Sequence, residues 1–218
     1  MSQHVITFIG PTMSGKSTLL HQYMRCERLT SYTETIDDEY NSVIKTSCGE
    51  YEVRLNDCSG NENYSMLRDD HILACDTLVY VFSLTDHASF IKAFSEVVDC
   101  LNLLFENREQ AQKPKFVLVA TKKDVNNRSV TSNECSNLSK FAQGKVDCTL
   151  WELSSFDQSE VDALFQSFVG DSQSKKSLPK TPVIKRKSPK LSQSTSDVAE
   201  VKKLGRFSKL FIPKGLVF

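Results

Sequence analysis

Residues 10–17 constrain the fold of this 218-residue chain more than any other feature. They read Gly-Pro-Thr-Met-Ser-Gly-Lys-Ser, which is the pattern of a phosphate-binding P-loop. An apolar run at 5–9 precedes them as a buried strand, and Leu19, Leu20 and Tyr23 follow at helical spacing. In a strand–loop–helix context, the backbone N–H groups of the loop and the helix N-terminus point at one spot. The motif therefore predicts a polyphosphate site.

Two side chains at the end of this P-loop carry the predicted chemistry. Lys16 is expected to reach the β- and γ-phosphates, and the Ser17 hydroxyl is expected to ligate Mg²⁺. The alternative interpretation is an ordinary strand–turn–helix connection without a ligand. The predicted phosphate-binding residues of this region are Gly10, Met13, Ser14, Gly15, Lys16, Ser17 and Thr18.

Charge is distributed unevenly along the chain although the formal net charge is zero. Of the 27 basic and 27 acidic residues, 12 basic and 3 acidic ones fall in 171–218, so an acidic body of −9 carries a basic tail of +9. Such a tail should seek anionic surfaces or acidic partners, or fold back on its own domain.

The seven cysteines all lie before residue 149, form no CxxC pair and are odd in number. This usage indicates reduced thiols in a cytosolic-type compartment.

The sequence shows no signal peptide and no apolar run near the length of a membrane span, so we expect a cytoplasmic protein. The four histidines show no ligand spacing, and we expect no metal other than Mg²⁺.

Apolar runs alternate with helical patterns over the first 170 residues, which predicts an α/β fold with a mostly parallel sheet. An additional strand near 41–47 is expected to pair antiparallel with 51–56. The expected architecture is a P-loop NTPase domain with a six-stranded sheet and about five helices. The apolar runs lie at 5–9, 51–55, 78–84, 116–120 and 148–153, and the helical patterns lie near 16–26, 65–75, 87–107, 133–143 and 158–169.

The composition changes near residue 171, where Ser, Lys and Pro begin to dominate. We predict three parts: a nucleotide-binding domain over 1–170, a disordered basic Ser/Pro-rich linker over 171–197, and a basic amphipathic segment over 198–218.

An acidic motif, Asp-Cys-Ser-Gly, ends the strand at 51–56. Its Asp57 can hold Mg²⁺ through water, and the N–H of Gly60 can approach the γ-phosphate because glycine has no Cβ. The motif lies at a strand carboxyl end, where open α/β sheets bind ligands.

Two further motifs follow the last two strands and indicate which base is bound. The Asp124 carboxylate can accept hydrogen bonds from guanine N1–H and N2–H₂, a pair of donors that adenine lacks, and the Lys122 stem can cover the base. Backbone N–H groups near the end of the last strand could meet guanine O6. The predicted guanine-binding residues are Thr121, Lys122, Asp124, Ser154 and Ser155.

These motifs, in this order and spacing, resemble the Ras superfamily of small GTP-binding proteins over about residues 3–170. The resemblance implies a GTP/GDP signalling switch whose catalytic residues are Asn61, Lys16 and Thr35. It implies that Thr35 joins Ser17 and Asp57 around Mg²⁺ and binds phosphate together with Gly60. Residues 32–40 resemble switch I and 61–69 resemble switch II. The implied effector surface comprises Tyr32, Asp37, Asp38 and Tyr40.

The implied partners are GTP or GDP and unidentified effector, exchange-factor and activating proteins, with no specific nucleic acid, and the chain is expected to be a monomer. The basic tail could contact anionic membrane, calmodulin, a nuclear importer or its own domain, or could be a solvated linker. No cysteine follows residue 148, so we expect no prenylation. In this respect the chain is similar to the unlipidated estrogen-regulated growth-inhibitor-like branch of the Ras family.

Two departures from the family pattern predict slow hydrolysis. The family usually places Gln at the position of Asn61, which is one methylene shorter. The side chain of Thr12 would crowd the space that an arginine finger must enter. The alternative is a hydrolysis-deficient interaction module that holds nucleotide constitutively. A nucleotide kinase would need a lid with catalytic arginines, and the sequence shows none.

Two more departures concern the base. Arg28 replaces the usual aromatic residue at the guanine edge, and Phe156 replaces the usual Lys of the last motif. We assign Phe156 no ligand role.

Overall fold

The computed structural model describes residues 3–25, 33–109 and 113–169. Predictions on Arg28, Tyr32 and the tail beyond 169 lie outside these residues. The described residues form six strands and five α-helices, and a helix follows every strand except β2. They are β1 (His4–Ile9), α1 (Lys16–Tyr23), β2 (Asp37–Thr46), β3 (Gly49–Cys58), α2 (Ser65–Ala74), β4 (Thr77–Ser83), α3 (His87–Asn107), β5 (Lys115–Thr121), α4 (Ser132–Gln143), β6 (Cys148–Glu152) and α5 (Gln158–Val169).

The strands form one sheet in the order β2-β3-β1-β4-β5-β6. All neighbouring pairs are parallel except β2 and β3, which pair antiparallel from Asp37 opposite Cys58 to Thr46 opposite Gly49. The predicted α/β fold with a six-stranded, mostly parallel sheet and five helices is confirmed. The reversal of order between β1 and β4 places the ends of these strands at a topological switch point, where such sheets bind ligands.

Strand β2 begins four residues before the predicted strand near 41–47. Its first residues, Asp37 to Glu39, are polar and exposed, so no apolar pattern marks them. They become strand because β3 supplies main-chain partners up to Cys58. As a result, Asp37, Asp38 and Tyr40 of the implied effector surface lie on an edge strand.

Apolar side chains fill both faces of the sheet. One face packs against α2, α3 and α4, with Ile72, Leu101 and Leu138 buried. The other packs against α1 and α5, with Leu19 and Phe165 buried. All seven residues of β4 are buried, as expected for a central strand covered on both faces. This three-layer packing fixes the strand ends that carry the polar motifs.

Six cysteines in the described residues are free thiols, of which only Cys48 is exposed. No helix among the described residues combines the length and the apolar character that a membrane crossing needs.

Candidate nucleotide-binding site

The P-loop leaves β1 through Gly10, which has φ of 134°. A Cβ at this position would lie 2.0 Å from the carbonyl oxygen of Val81, so only glycine allows the loop to start against β4. Gly15, at φ of 100°, precedes α1. Ser14 is buried, whereas Met13 is exposed and Thr18 is half-buried. The loop is therefore held close to the sheet while its tip faces outward.

Lys16 lies beneath the loop with its side chain buried. Its Nζ donates hydrogen bonds to the carbonyl oxygens of Gly10, at 2.9 Å, and Pro11, at 3.0 Å. Burial lowers the pKa of the Lys16 ammonium, and the negative charge of Asp57 opposes this effect. The ammonium is held by main-chain oxygens in a position from which it can turn toward a phosphate.

Asp57 is fully buried at the end of β3. Neither of its carboxylate oxygens has a hydrogen-bond partner among the described residues. Burial raises the pKa of the Asp57 carboxyl to about 6, while the Ser17 hydroxyl and the Lys16 ammonium act in the opposite direction. A buried carboxylate without partners is costly, so its presence indicates a ligand that completes it.

The Ser17 and Thr35 hydroxyls lie 3.0 Å apart. They join the start of α1 to the segment before β2, next to the orphaned Asp57 carboxylate. Three oxygen donors of this kind suit Mg²⁺, a hard cation that prefers oxygen ligands. The predicted set of Ser17, Thr35 and Asp57 therefore fits this ion, which would neutralise the charge of the β- and γ-phosphates.

Gly60 packs directly on the P-loop. A Cβ at Gly60 would lie 2.3 Å from the backbone nitrogen of Thr12 and 2.6 Å from the carbonyl carbon of Pro11. The segment after β3 can approach the phosphate region this closely only because Gly60 has no side chain.

Asn61 connects the two predicted switch segments. Its Nδ2 donates a hydrogen bond to Oε1 of Glu34 at 2.8 Å, and its Oδ1 accepts one from the backbone N–H of Asn63 at 3.0 Å. It also precedes the short 3₁₀ helix Glu62–Tyr64 as its cap. Both ends of the amide are thus engaged. No sequence pattern predicts the contact with Glu34, since it joins residues 27 positions apart.

Thr121 ties the P-loop to the sheet. Its buried hydroxyl lies 2.5 Å from the carbonyl oxygen of Ser14 and 3.1 Å from that of Phe82, and can donate to either. Lys122, in the left-handed region at φ of 63°, donates from Nζ to the carbonyl oxygen of Met13 at 3.0 Å. In this structure both residues position the loop, and their contact with a base stays a prediction. Asp124 is exposed beside them.

The segment after β6 contains one hydrogen-bond donor that is engaged and one that has no partner in the described chain. The Ser154 backbone N–H already donates to Oε2 of Glu160 at 2.9 Å, and its hydroxyl accepts from the backbone N–H of Phe156 at 3.2 Å. The buried Ser155 hydroxyl has no hydrogen-bond partner in the described chain. Ser155 therefore offers a vacant donor near Gly15, whereas the Ser154 N–H is engaged. The sequence does not predict Glu160 as a site residue, because nothing in the helical pattern of α5 indicates that its carboxylate contacts residue 154.

Three of the four predicted effector residues, Asp37, Asp38 and Tyr40, lie along the first half of β2. The Asp37 carboxylate lies 2.9 Å from Nε2 of His71. Asp38 is exposed, and the half-buried ring of Tyr40 meets His21 edge-on, with 6.2 Å between ring centroids. Tyr32 lies outside the described residues.

This fold and these strand-end motifs define a P-loop nucleotide-binding protein with a Mg²⁺-compatible centre. Comparison with known proteins narrows that class. The model of the Ras family matches residues 5–174, which is most of the chain, so the chain belongs to the Ras family of small GTPases.

Relatives agree with this assignment. The GTP-binding protein Rheb homolog of Dictyostelium discoideum is 26% identical over 167 residues, covering 76% of this chain and 85% of the relative. The Ras-like protein rasS of the same organism is 27% identical, covering 75% and 80%. Human GTP-binding protein Rhes is 28% identical, covering 72% and 60%. Membership of the unlipidated branch stays a prediction.

Proposed function

We propose that this protein is a GTP/GDP-binding signalling switch that hydrolyses GTP slowly. The engaged Asn61 amide carries the proposal of slow hydrolysis. A residue that orients the attacking water needs a free amide, and here both ends of the amide bond to Glu34 and Asn63.

Binding of a guanine nucleotide with Mg²⁺ is supported by the arrangement of the strand ends. Lys16 and the loop N–H groups would hold the phosphates, and Ser17, Thr35 and Asp57 would hold Mg²⁺. Asp124 would accept from the guanine N1–H and N2–H₂, and the Ser155 hydroxyl would donate to the base region. The relatives named as GTP-binding proteins favour the same ligand.

The proposed switching depends on the positions of Thr35 and Gly60 in the chain. Thr35 precedes β2 and Gly60 follows β3, so a γ-phosphate bound by both would order the two segments together. The exposed Asp38 and the neighbouring Tyr40 would then present an effector surface. Loss of the γ-phosphate would release both segments.

Slow turnover is also supported by Thr12. This residue is exposed at the tip of the P-loop, and its backbone nitrogen lies against Gly60. Its branched side chain would obstruct an arginine finger, which is worth about 10³–10⁵ in rate. The same observations favour the second candidate, a hydrolysis-deficient module that signals by holding nucleotide.

We propose that the protein is located in the cytoplasm and that its basic tail makes peripheral membrane or nuclear contacts. The separation of charge between residues 1–170 and 171–218 supports this location. Fluorescent fusions with and without residues 171–218 test it, and identical distributions would contradict it.

The decisive experiment identifies the nucleotide released from purified protein and then follows single-turnover GTP hydrolysis. We expect guanine nucleotide and a rate below about 4 × 10⁻⁴ s⁻¹, the intrinsic rate of Ras. An equal or higher rate would contradict slow hydrolysis, negligible turnover would favour the module, and bound ATP would contradict the guanine assignment.

A pair of variants isolates the contribution of residue 61. In Asn61→Gln the amide gains one methylene and can reach the water; one recovered hydrogen bond of ~1 kcal/mol corresponds to roughly a fivefold faster reaction. Asn63→Gln makes the same chemical change two positions away and should leave the rate unchanged. Equal rates in the two variants would contradict the role of Asn61.

A further inference from the structure

Three potential metal ligands converge away from the phosphate site. Asp37 at the start of β2, Cys58 at the end of β3 and His71 on α2 place a carboxylate oxygen, Sγ and a ring nitrogen within 4.8 Å of one another. We propose that these three side chains form a Zn²⁺ site that fastens α2 to the β2–β3 edge of the sheet. Sequence spacing did not show this site, because its ligands come from three separate elements.

The backbone brings these residues together independently of any ion. Asp37 and Cys58 are directly opposite one another at the end of the antiparallel ladder. His71 reaches the same point from the helix above and contacts the Asp37 carboxylate at 2.9 Å. The carboxylate and the imidazole are each about a quarter to a third exposed, whereas Cys58 is buried beneath them. The cluster thus has a buried soft ligand and an opening to solvent.

The donor set suits Zn²⁺ better than Mg²⁺. Thiolate and imidazole are borderline-soft ligands, and three protein ligands with an open fourth position describe many zinc sites. Zinc–ligand bonds of about 2.0–2.3 Å place the ligand atoms of a tetrahedron about 3.3–3.6 Å apart. The Asp37–His71 separation of 2.9 Å is shorter than this spacing, and all three ligand atoms lie within 4.8 Å of one another, so side-chain rotations of about an ångström would close the site. The Cys58 thiol would lose its proton to solvent on binding.

This site is distinct from the Mg²⁺ centre although Asp57 and Cys58 are adjacent. Successive strand residues face opposite sides of a sheet. Cys58 packs in the core layer beneath α2, α3 and α4, whereas Asp57 lies next to Lys16 under the P-loop. A zinc ion would therefore contact the switch segments from the far side of β3.

The location gives the site a consequence for motion. Asp37 lies two residues after Thr35, and α2 begins five residues after Gly60. A metal that joins β2 to α2 would restrain both segments that the γ-phosphate is expected to order.

The test is a Co²⁺ titration of the full chain, loaded with GDP and Mg²⁺. We expect one tightly bound Co²⁺ with a thiolate-to-cobalt charge-transfer band, and displacement of this Co²⁺ by Zn²⁺. Cys58→Ser should abolish the band, and His71→Asn and Asp37→Asn should each weaken binding at least about tenfold. The matched controls Cys48→Ser and His87→Asn remove an exposed thiol and a remote imidazole, and should bind like the parent.

Absence of the charge-transfer band in the parent would overturn the proposal. A band that survives Cys58→Ser, or one lost in Cys48→Ser, would do the same. Bound GDP content and circular dichroism report folding, and His71→Asn changes a partly exposed side chain, so the result does not depend on the buried Cys58 variant alone. Because bound GDP is measured in each sample, failure of this site is distinguishable from failure of nucleotide binding.

Discussion

At the scale of single residues, the nucleotide site depends on polar side chains that are buried without a full set of hydrogen-bond partners. Within the described chain, Asp57 has no hydrogen-bond partner and the Lys16 ammonium donates only to main-chain carbonyl oxygens. Such groups reduce the stability of the ligand-free fold. Thr121 is the opposite case, because its buried hydroxyl is already engaged by the protein.

The first prediction concerns Thr121→Val. The substitution keeps the shape and removes the donor to the Ser14 carbonyl oxygen, leaving a buried acceptor unsatisfied at about 1–3 kcal/mol. We expect lower thermal stability and faster dissociation of a fluorescent GDP analogue, since the P-loop loses its tie to β5.

Thr149→Val is the matched control for this prediction. Thr149 lies on the neighbouring β6, and its buried hydroxyl has no hydrogen-bond partner in the described chain. Its removal should leave stability and dissociation unchanged or slightly improve stability. Equal losses in both variants would show that Thr121 does not anchor the loop.

At the scale of elements, α4 has the most complete local signal. The Thr131 backbone N–H donates to Oε2 of Glu134 at 2.7 Å, and the Glu134 N–H donates to the Thr131 hydroxyl at 3.3 Å, forming a capping box. His87 at the start of α3 bonds to the other Glu134 oxygen at 2.8 Å. One carboxylate thus caps α4 and connects it to α3.

The second prediction is a pH dependence that belongs to this cap. The pKa of Glu134 is lowered from an ordinary 4.5 to about 2. The largest cause is the hydrogen bond from the Thr131 backbone N–H, followed by those from the Thr131 hydroxyl and from His87. Since the folded pKa is the lower one, the stabilisation is complete above pH 4.5 and is lost as pH falls toward 2. Urea unfolding should show this loss in the parent, and Glu134→Gln should show a correspondingly smaller one.

Parallel pH curves for the parent and Glu134→Gln would contradict this assignment. The cap itself is tested at neutral pH, where Thr131→Ala should cost about 1 kcal/mol of unfolding free energy. Asn137→Ala, at an exposed position of the same helix, should cost nothing, because alanine is the better helix former.

Elements also show which features could be predicted from sequence. Apolar periodicity located β4 and α3 because each buries a continuous or helical set of side chains. It missed residues 37–40 of β2, whose polar side chains become strand only through pairing with β3. Sequence motifs, rather than periodicity, located the P-loop and Asp57. Neither kind of pattern could locate the Asn61–Glu34 bond or the Asp37–Cys58–His71 cluster, since both depend on contacts between distant segments.

At the scale of the whole described domain, the nucleotide site lies where separate parts of the sheet meet. Lys16 follows β1, Asp57 is the last residue but one of β3, Thr121 ends β5 and Ser155 follows β6, while Thr35 precedes β2. A single ligand would therefore contact segments from both sides of the topological switch point. Its binding energy would stabilise the fold as a whole rather than one loop.

The last prediction follows from this placement. Chelating Mg²⁺ and removing nucleotide leaves the Asp57 carboxylate buried without partners, and withdraws the stabilisation of a ligand present at 100 times its Kd, about 2.7 kcal/mol. For a domain of this size we expect the Tm to fall by roughly 5–10 °C. Differential scanning fluorimetry of the stripped and loaded protein measures the change.

Re-addition separates the contributions of the base and the ion. GDP with Mg²⁺ should restore the Tm, ATP with Mg²⁺ should not, and GDP with chelator should restore only part, because Asp57 then still lacks a cation. Full recovery with GDP alone would mean that the buried Asp57 carboxylate is compensated by the protein itself. The Mg²⁺ assignment would then lose the observation on which it depends, since the orphaned carboxylate is the structural reason for placing the ion there.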